Sequence, residues 1–137
     1  MNRNDKRAAI CRLAFLPIGQ ATVRNKPGQP GIQVQGTFTK LPISSGEFQE
    51  SETNGNPVEQ ELEAVITDTN AGQLEEYRRL LADYGLLLVT LTNGDQRVIG
   101  TDEFPVLVST ELSGSPQSLT LSFKRDSPEP AKTYSSL

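Results

Sequence analysis

A chain of 137 residues has room for one domain with its own core. It contains no histidine and a single cysteine, which removes Ser/His/Asp and Cys/His catalytic arrangements, the usual zinc ligand sets and an internal disulfide framework. The net charge of −4 is unevenly spread: residues 1–40 carry seven Lys/Arg against Asp5 alone, whereas residues 41–83 carry ten acids against Arg78 and Arg79.

In chain order, residues 1–8 read as a flexible, basic N-terminal arm. Arg12 interrupts the only apolar run near the start, and no small-residue cleavage site follows it, so a secretory signal is not expected. No stretch approaches the roughly 20 apolar residues of a spanning helix. These features place the chain in the cytoplasm, or in a particle assembled there, with no membrane partner. A first strand is expected over residues 9–16, ended by Pro17, with Cys11 as a small buried apolar side chain. Residues 24–31 hold two prolines and two glycines and form a loop. Residues 32–39 alternate as a half-buried strand, with Ile32, Val34, Gly36 and Phe38 on one face and Gln33, Gln35, Thr37 and Thr39 on the other. Residues 44–57 are polar and acidic, and they read as a long loop that a partner would order.

Residues 58–67 alternate again, placing Leu62, Ala64 and Ile66 inward and Glu59, Glu61 and Glu63 outward. Carboxylates two residues apart on a strand stand about 7 Å from each other. They are too distant to share a proton or chelate an ion unaided, so the row reads as a solvated face. A helix follows, capped by Asn70 with Gln73 in a capping-box position. Its apolar face is Leu74, Tyr77, Leu80, Leu81 and Tyr84, Glu75 and Glu76 pair with Arg79, and Gly85 supplies the stop. Residues 68–72 faintly echo a calcium loop, but Gln73 and Arg79 stand where that loop needs glycine and an acid, and no metal is expected. Residues 86–91 are apolar on both faces and need cover on both sides. Asn93-Gly94 turns this strand into the next, at 97–100. Residues 106–112 and 119–124 form a further hairpin, in which Val106 and Val108 pack with Leu119, Leu121 and Phe123. Residues 127–137 form a polar, flexible C-terminal tail.

The sum is a single α+β domain, mainly antiparallel β, as a sandwich or partly open barrel of about six to eight strands with one packed amphipathic helix. The pattern offers no catalytic constellation. Asp102-Glu103 is an acid pair in a turn before Pro105, and the glycines form no phosphate-cradling motif. No enzyme activity, cofactor or metal is expected. The basic residues are scattered without interleaved aromatics, which argues against nucleic acid as a partner.

From Leu88 to Phe123 the chain runs through an aliphatic strand, Thr92-Asn93-Gly94, Val98-Ile99-Gly100, a short linker into Pro105 and its aliphatic run, then Ser118-Leu119-Thr120-Leu121-Ser122-Phe123. This passage, about the last third of the chain, resembles small structural proteins encoded in bacterial prophages, those of the tail or the head–tail junction. The resemblance implies a non-enzymatic ring or tube subunit whose partners are copies of itself or other particle proteins. In that picture the interface candidates are Arg24, Lys26 and Lys40 against Glu47, Glu50 and Glu52, with Phe48 as an apolar anchor in the acidic loop. The rival expectation is a monomeric β module that binds a small molecule or a peptide, lined by Tyr77, Tyr84 and Phe104.

Overall fold

Alternating apolar and polar residues commit most of this chain to strands, and chain-distant pairings assemble them. The computed structural model describes residues 3–26, 28–53, 57–67, 71–113 and 118–136, with side chains for all of these except 3–8, 52, 53, 71, 113 and 136. Among them are the strands β1 (Arg3–Pro17), β2 (Thr22–Arg24), β3 (Gly31–Gln35), β4 (Thr39–Leu41), β5 (Ser45–Thr53) and β6 (Val58–Thr67). Helix α1 (Ala71–Leu80) precedes β7 (Gly85–Leu91), β8 (Gln96–Ile99), β9 (Ser109–Ser113), β10 (Ser118–Ser127) and β11 (Lys132–Ser136). The strands form one open sheet in the order β2-β3-β11-β8-β7-β1-β5-β6-β10-β9, with β4 alongside β1. The ladders are antiparallel except β11 on β3, which is parallel. The α+β, mainly antiparallel class expected from the sequence is therefore correct. No helix among the described residues is long and apolar enough to cross a membrane.

Strand β1 belongs to both halves of the sheet. Its residues 3–9 pair with β5, and residues 10–17 pair with β7, across a register shift between Ile10 and Arg12. The extra residue of that bulge is Cys11. A bulge breaks the two-residue alternation and turns its extra side chain off the inward parity. Cys11 is accordingly exposed, with its thiol toward the carbonyls of Thr90 and Leu91, and not buried as its residue type suggested.

Two apolar clusters form among the described residues. The larger takes Leu13 and Phe15 from β1, Leu62 and Ile66 from β6, Leu74 from α1, Leu87 and Val89 from β7, and Leu119, Leu121 and Phe123 from β10. The smaller holds Leu16, Ile32, Val34, Leu86 and Val98. Successive residues of β7 thus feed different clusters, which is why this strand is apolar on both faces. Each fully buried Leu, Ile or Phe contributes about 1.5–3 kcal/mol.

Several expectations are corrected. The supposed flexible arm at 1–8 is, from Arg3 onward, part of β1 opposite residues 48–53 of β5. The supposed acidic loop at 44–57 is largely β5, whose residues 45–51 pair with 59–65 of β6; residues 54–56 lie outside the described residues. Only Phe48 gives β5 an apolar inward signal, so its strand state comes from its two neighbours rather than from its own alternation. The supposed C-terminal tail contains β11, held between β8 and β3, where Tyr134 meets Phe38 edge to face with ring centroids 5.9 Å apart. The strand expected over 32–39 is interrupted at Gly36, whose φ of +150° lies in the region that favours glycine.

The helix ends earlier than its apolar stripe implied. Leu74 and Leu81 are fully buried and Tyr77 and Leu80 pack against the larger cluster, but Tyr84 lies beyond the helix and is 53% exposed. Asn70, the expected cap, falls outside the described residues. Arg78, not Arg79, pairs with Glu75 at 3.3 Å, an exposed contact of the kind that contributes little. Gly85 opens β7 instead of stopping the helix. The last hairpin has the expected partners, although its first strand begins at Ser109, and Val106 makes only a single bridge to Gly85.

Candidate functional site

Residues directly opposite in an antiparallel ladder share a face. On the inward face of β5, β6 and β10, register places Phe48, Leu62 and Phe123 in one row and Glu50, Gln60 and Arg125 in the next. The apolar core is therefore bordered by a polar row. Gln60 is only 1% exposed, and both ends of its amide are used. Its Nε2 donates to Glu50 Oε2 at 3.0 Å, and its Oε1 accepts from Arg125 Nε at 3.0 Å. Arg125 Nη1 then donates to the carbonyls of Phe104 at 2.8 Å and Pro105 at 3.1 Å. Glu50 Oε2 also accepts from the Ala131 amide at 2.8 Å. The row ties the chain around residues 104–105 and the approach to β11 onto the sheet. Burial lowers the pKa of the Arg125 guanidinium, but a guanidinium has far to fall before it loses its charge.

Beside this row lies a cleft of about 210 Å³, lined in part by Gly100, Thr101, Phe104, Arg125, Glu129 and Lys132. Lys132 is 4% exposed and fully engaged: its Nζ donates to Asn25 Oδ1 and to the Lys26 carbonyl, and pairs with Glu129 at 2.9 Å. Glu129 in turn accepts from the Gly28 amide. That backbone hydrogen bond first, and Lys132 second, hold the Glu129 carboxyl below its ordinary pKa. A depressed carboxyl stabilises the fold above its unfolded pKa and loses that contribution as pH falls through the folded value. Between the ordinary glutamate value of about 4.3 and the lower folded one, the wild type should therefore lose urea resistance more steeply than Glu129→Gln. Parallel loss in both proteins, measured by urea unfolding at stepped pH, would remove Glu129 from that account.

A second concavity, about 330 Å³, lies among β1, β4 and β7. Ala14, Ile43 and Leu88 supply its apolar lining, and Arg12, Lys40 and Cys11 are also on its wall.

The residues expected at an interface are not gathered in one place. Arg24 is exposed on β2, and Lys26 is exposed in the loop that follows. Lys40 is far along the sheet order, on β4 opposite Ala14. Glu47 points outward on β5, in register with Glu63 of β6. Phe48 is 5% exposed and belongs to the larger cluster, so it is a core residue and no loop anchor. Glu50 faces inward onto Gln60 and the Ala131 amide. The Glu52 side chain lies outside the described residues. Glu59, Glu61 and Glu63 do alternate outward. Of the aromatic trio proposed for a ligand module, only Phe104 lines the cleft: Tyr77 packs on the core and Tyr84 is exposed. Sequence reasoning missed Gln60, Arg125 and Lys132. Gln60 did carry a signal, since it occupies the inward parity between Val58 and Leu62, where a polar side chain requires partners. Among the described residues no group of three His, Cys, Asp or Glu side chains is placed to hold a metal ion.

Comparison with known protein families, with characterised proteins and with solved structures returned no match for this chain.

Proposed function

We propose that this chain is a non-enzymatic structural subunit, of a phage tail or related particle, that docks to its neighbours through sheet edges and loops. The observation that carries this reading is the unclosed sheet. Among the described residues, β9 and β2 each have a ladder partner on one side only, and residues 3–8 of β1 pair only with β5. Unpaired strand edges present rows of amide donors and carbonyl acceptors that readily accept another strand. In this reading the two halves of the sheet face each other across the larger cluster as a sandwich, with the free edges at its borders. Tyr84, Phe104 and Leu107, between 45% and 53% exposed, lie close in sequence to the Gly85–Val106 bridge and add apolar surface for a contact.

Light scattering coupled to size exclusion, over a concentration series at low and high salt, tests the proposal. A discrete oligomer or a polymer is the expected result, weakening with salt if the uneven charge contributes. A monomer at every concentration would overturn self-assembly. A binding module would then lead, favoured by the cleft in which Arg125 is held by carbonyls and an amide rather than by a carboxylate.

A further inference from the structure

Resting on the assembly reading above, the topology says which edges meet. We propose that copies of this chain join head to tail through a parallel ladder between β9 of one copy and residues 3–8 of β1 in the next. The half-sheet β1-β5-β6-β10-β9 is antiparallel at each of its internal pairings. With an odd number of alternating strands, its first and last members run in the same direction. A copy related by rotation or translation that keeps the strand direction therefore brings its β1 beside β9 in parallel register.

Charge separates this arrangement from the symmetric ones. Residues 3–7 carry Arg3, Lys6 and Arg7 against Asp5, whereas β9 carries exposed Glu111 and no basic residue. A twofold pairing of β1 with itself would bring two basic segments together. A twofold pairing of β9 with itself would centre on Glu111 facing Glu111. Like charges opposite one another in a ladder are destabilising. Head-to-tail pairing sets Glu111 of one copy against the basic segment of the next. Each copy then offers one edge of each kind, so association continues until a ring closes or a filament grows. The β2 edge, only three residues long, is the blunt one.

The experiment compares wild type, Glu111→Lys, the double reversal Lys6→Glu/Arg7→Glu, and the combination of all three, by light scattering at low salt. Circular dichroism and thermal midpoint verify that each variant is folded. Each partial reversal should raise the concentration for half-association at least tenfold, and the combination should recover most of that loss. Hydrogen exchange on the wild type gives a readout free of mutation: amides in residues 3–8 and 109–113 should slow together on association. If the wild type assembles while folded variants match it and neither edge gains protection, the β9–β1 ladder is wrong and assembly through another surface stands. If the wild type stays monomeric at all concentrations, the ladder and the assembly reading both fall.

Discussion

Gly85→Ala should lower the thermal midpoint by about 10 °C. A Cβ at residue 85 would stand 2.5 Å from the Leu16 carbonyl oxygen and 2.5 Å from the tip of the Phe15 ring. Phe15 and Leu16 are fully buried, and the Leu16 oxygen is main chain in a paired strand, so neither neighbour can swing aside. Gly85 is also held from both sides. It pairs with Pro17 of β1, and it exchanges two hydrogen bonds with Val106 at 2.9 and 2.8 Å. Relief would require the start of β7 to leave β1, Val106 or both. Overpacking of this kind costs about 3 kcal/mol, and a domain of this size loses roughly 4 °C per kcal/mol. Scanning calorimetry checks it. A fall under about 2 °C would mean that the 84–86 backbone moves freely and the tight approach is not needed.

The second large effect is expected at Arg125. Arg125→Met keeps much of the aliphatic stem and removes three hydrogen bonds, taking the Arg125 donor from Gln60 Oε1 and the Pro105 carbonyl and leaving the Phe104 carbonyl with the Thr101 amide at 3.2 Å. Gln60 is the costly one, because at 1% exposure its freed oxygen has little access to water. Orphaned buried acceptors cost about 1–3 kcal/mol each. Allowing for water at the more open carbonyls, the total should be about 3 kcal/mol by urea unfolding. Lys124→Met, at the exposed neighbouring position, serves as control and should stay within about 0.5 kcal/mol. Amides around 101–106 should also exchange faster in the Arg125 variant, since that segment loses its tie to β10. An Arg125 variant as stable as the control would show that the polar row does not hold the loop.

What the sequence displayed was whatever a strand or helix encodes by itself. The alternation of β6 gave its inward and outward faces, and the doubly apolar β7 announced cover on both sides. Asn93-Gly94 marked its turn, where Gly94 has φ +96° and the Asn93 side chain accepts from the Asp95 amide at 3.0 Å. What the sequence concealed was whatever depends on a distant neighbour. Strand β5 has one apolar inward residue, and β11 is a polar segment ordered by β3 and β8. The first residues of β1 have no alternation to display. The polar row joins Gln60 to partners 10 and 65 positions away, and only the registers of β5, β6 and β10 bring them abreast. Cys11 was misplaced for a related reason: a one-residue bulge leaves no mark in hydropathy, yet it changes which way a side chain points.

The central position of β1 also sets a timetable for biosynthesis. It leaves the ribosome before β7, and at its Ile10 end the ladder with β7 joins positions some 80 residues apart, as the Cys11–Leu91 contact does. At about 5–20 residues per second, the wait for β7 is on the order of 4–16 s. Throughout it, the strand that later joins both halves of the sheet has no ladder on its β7 side. In a polysome producing many copies close together, nascent chains would pass through that interval side by side, so the order of emergence itself becomes a hazard of premature pairing.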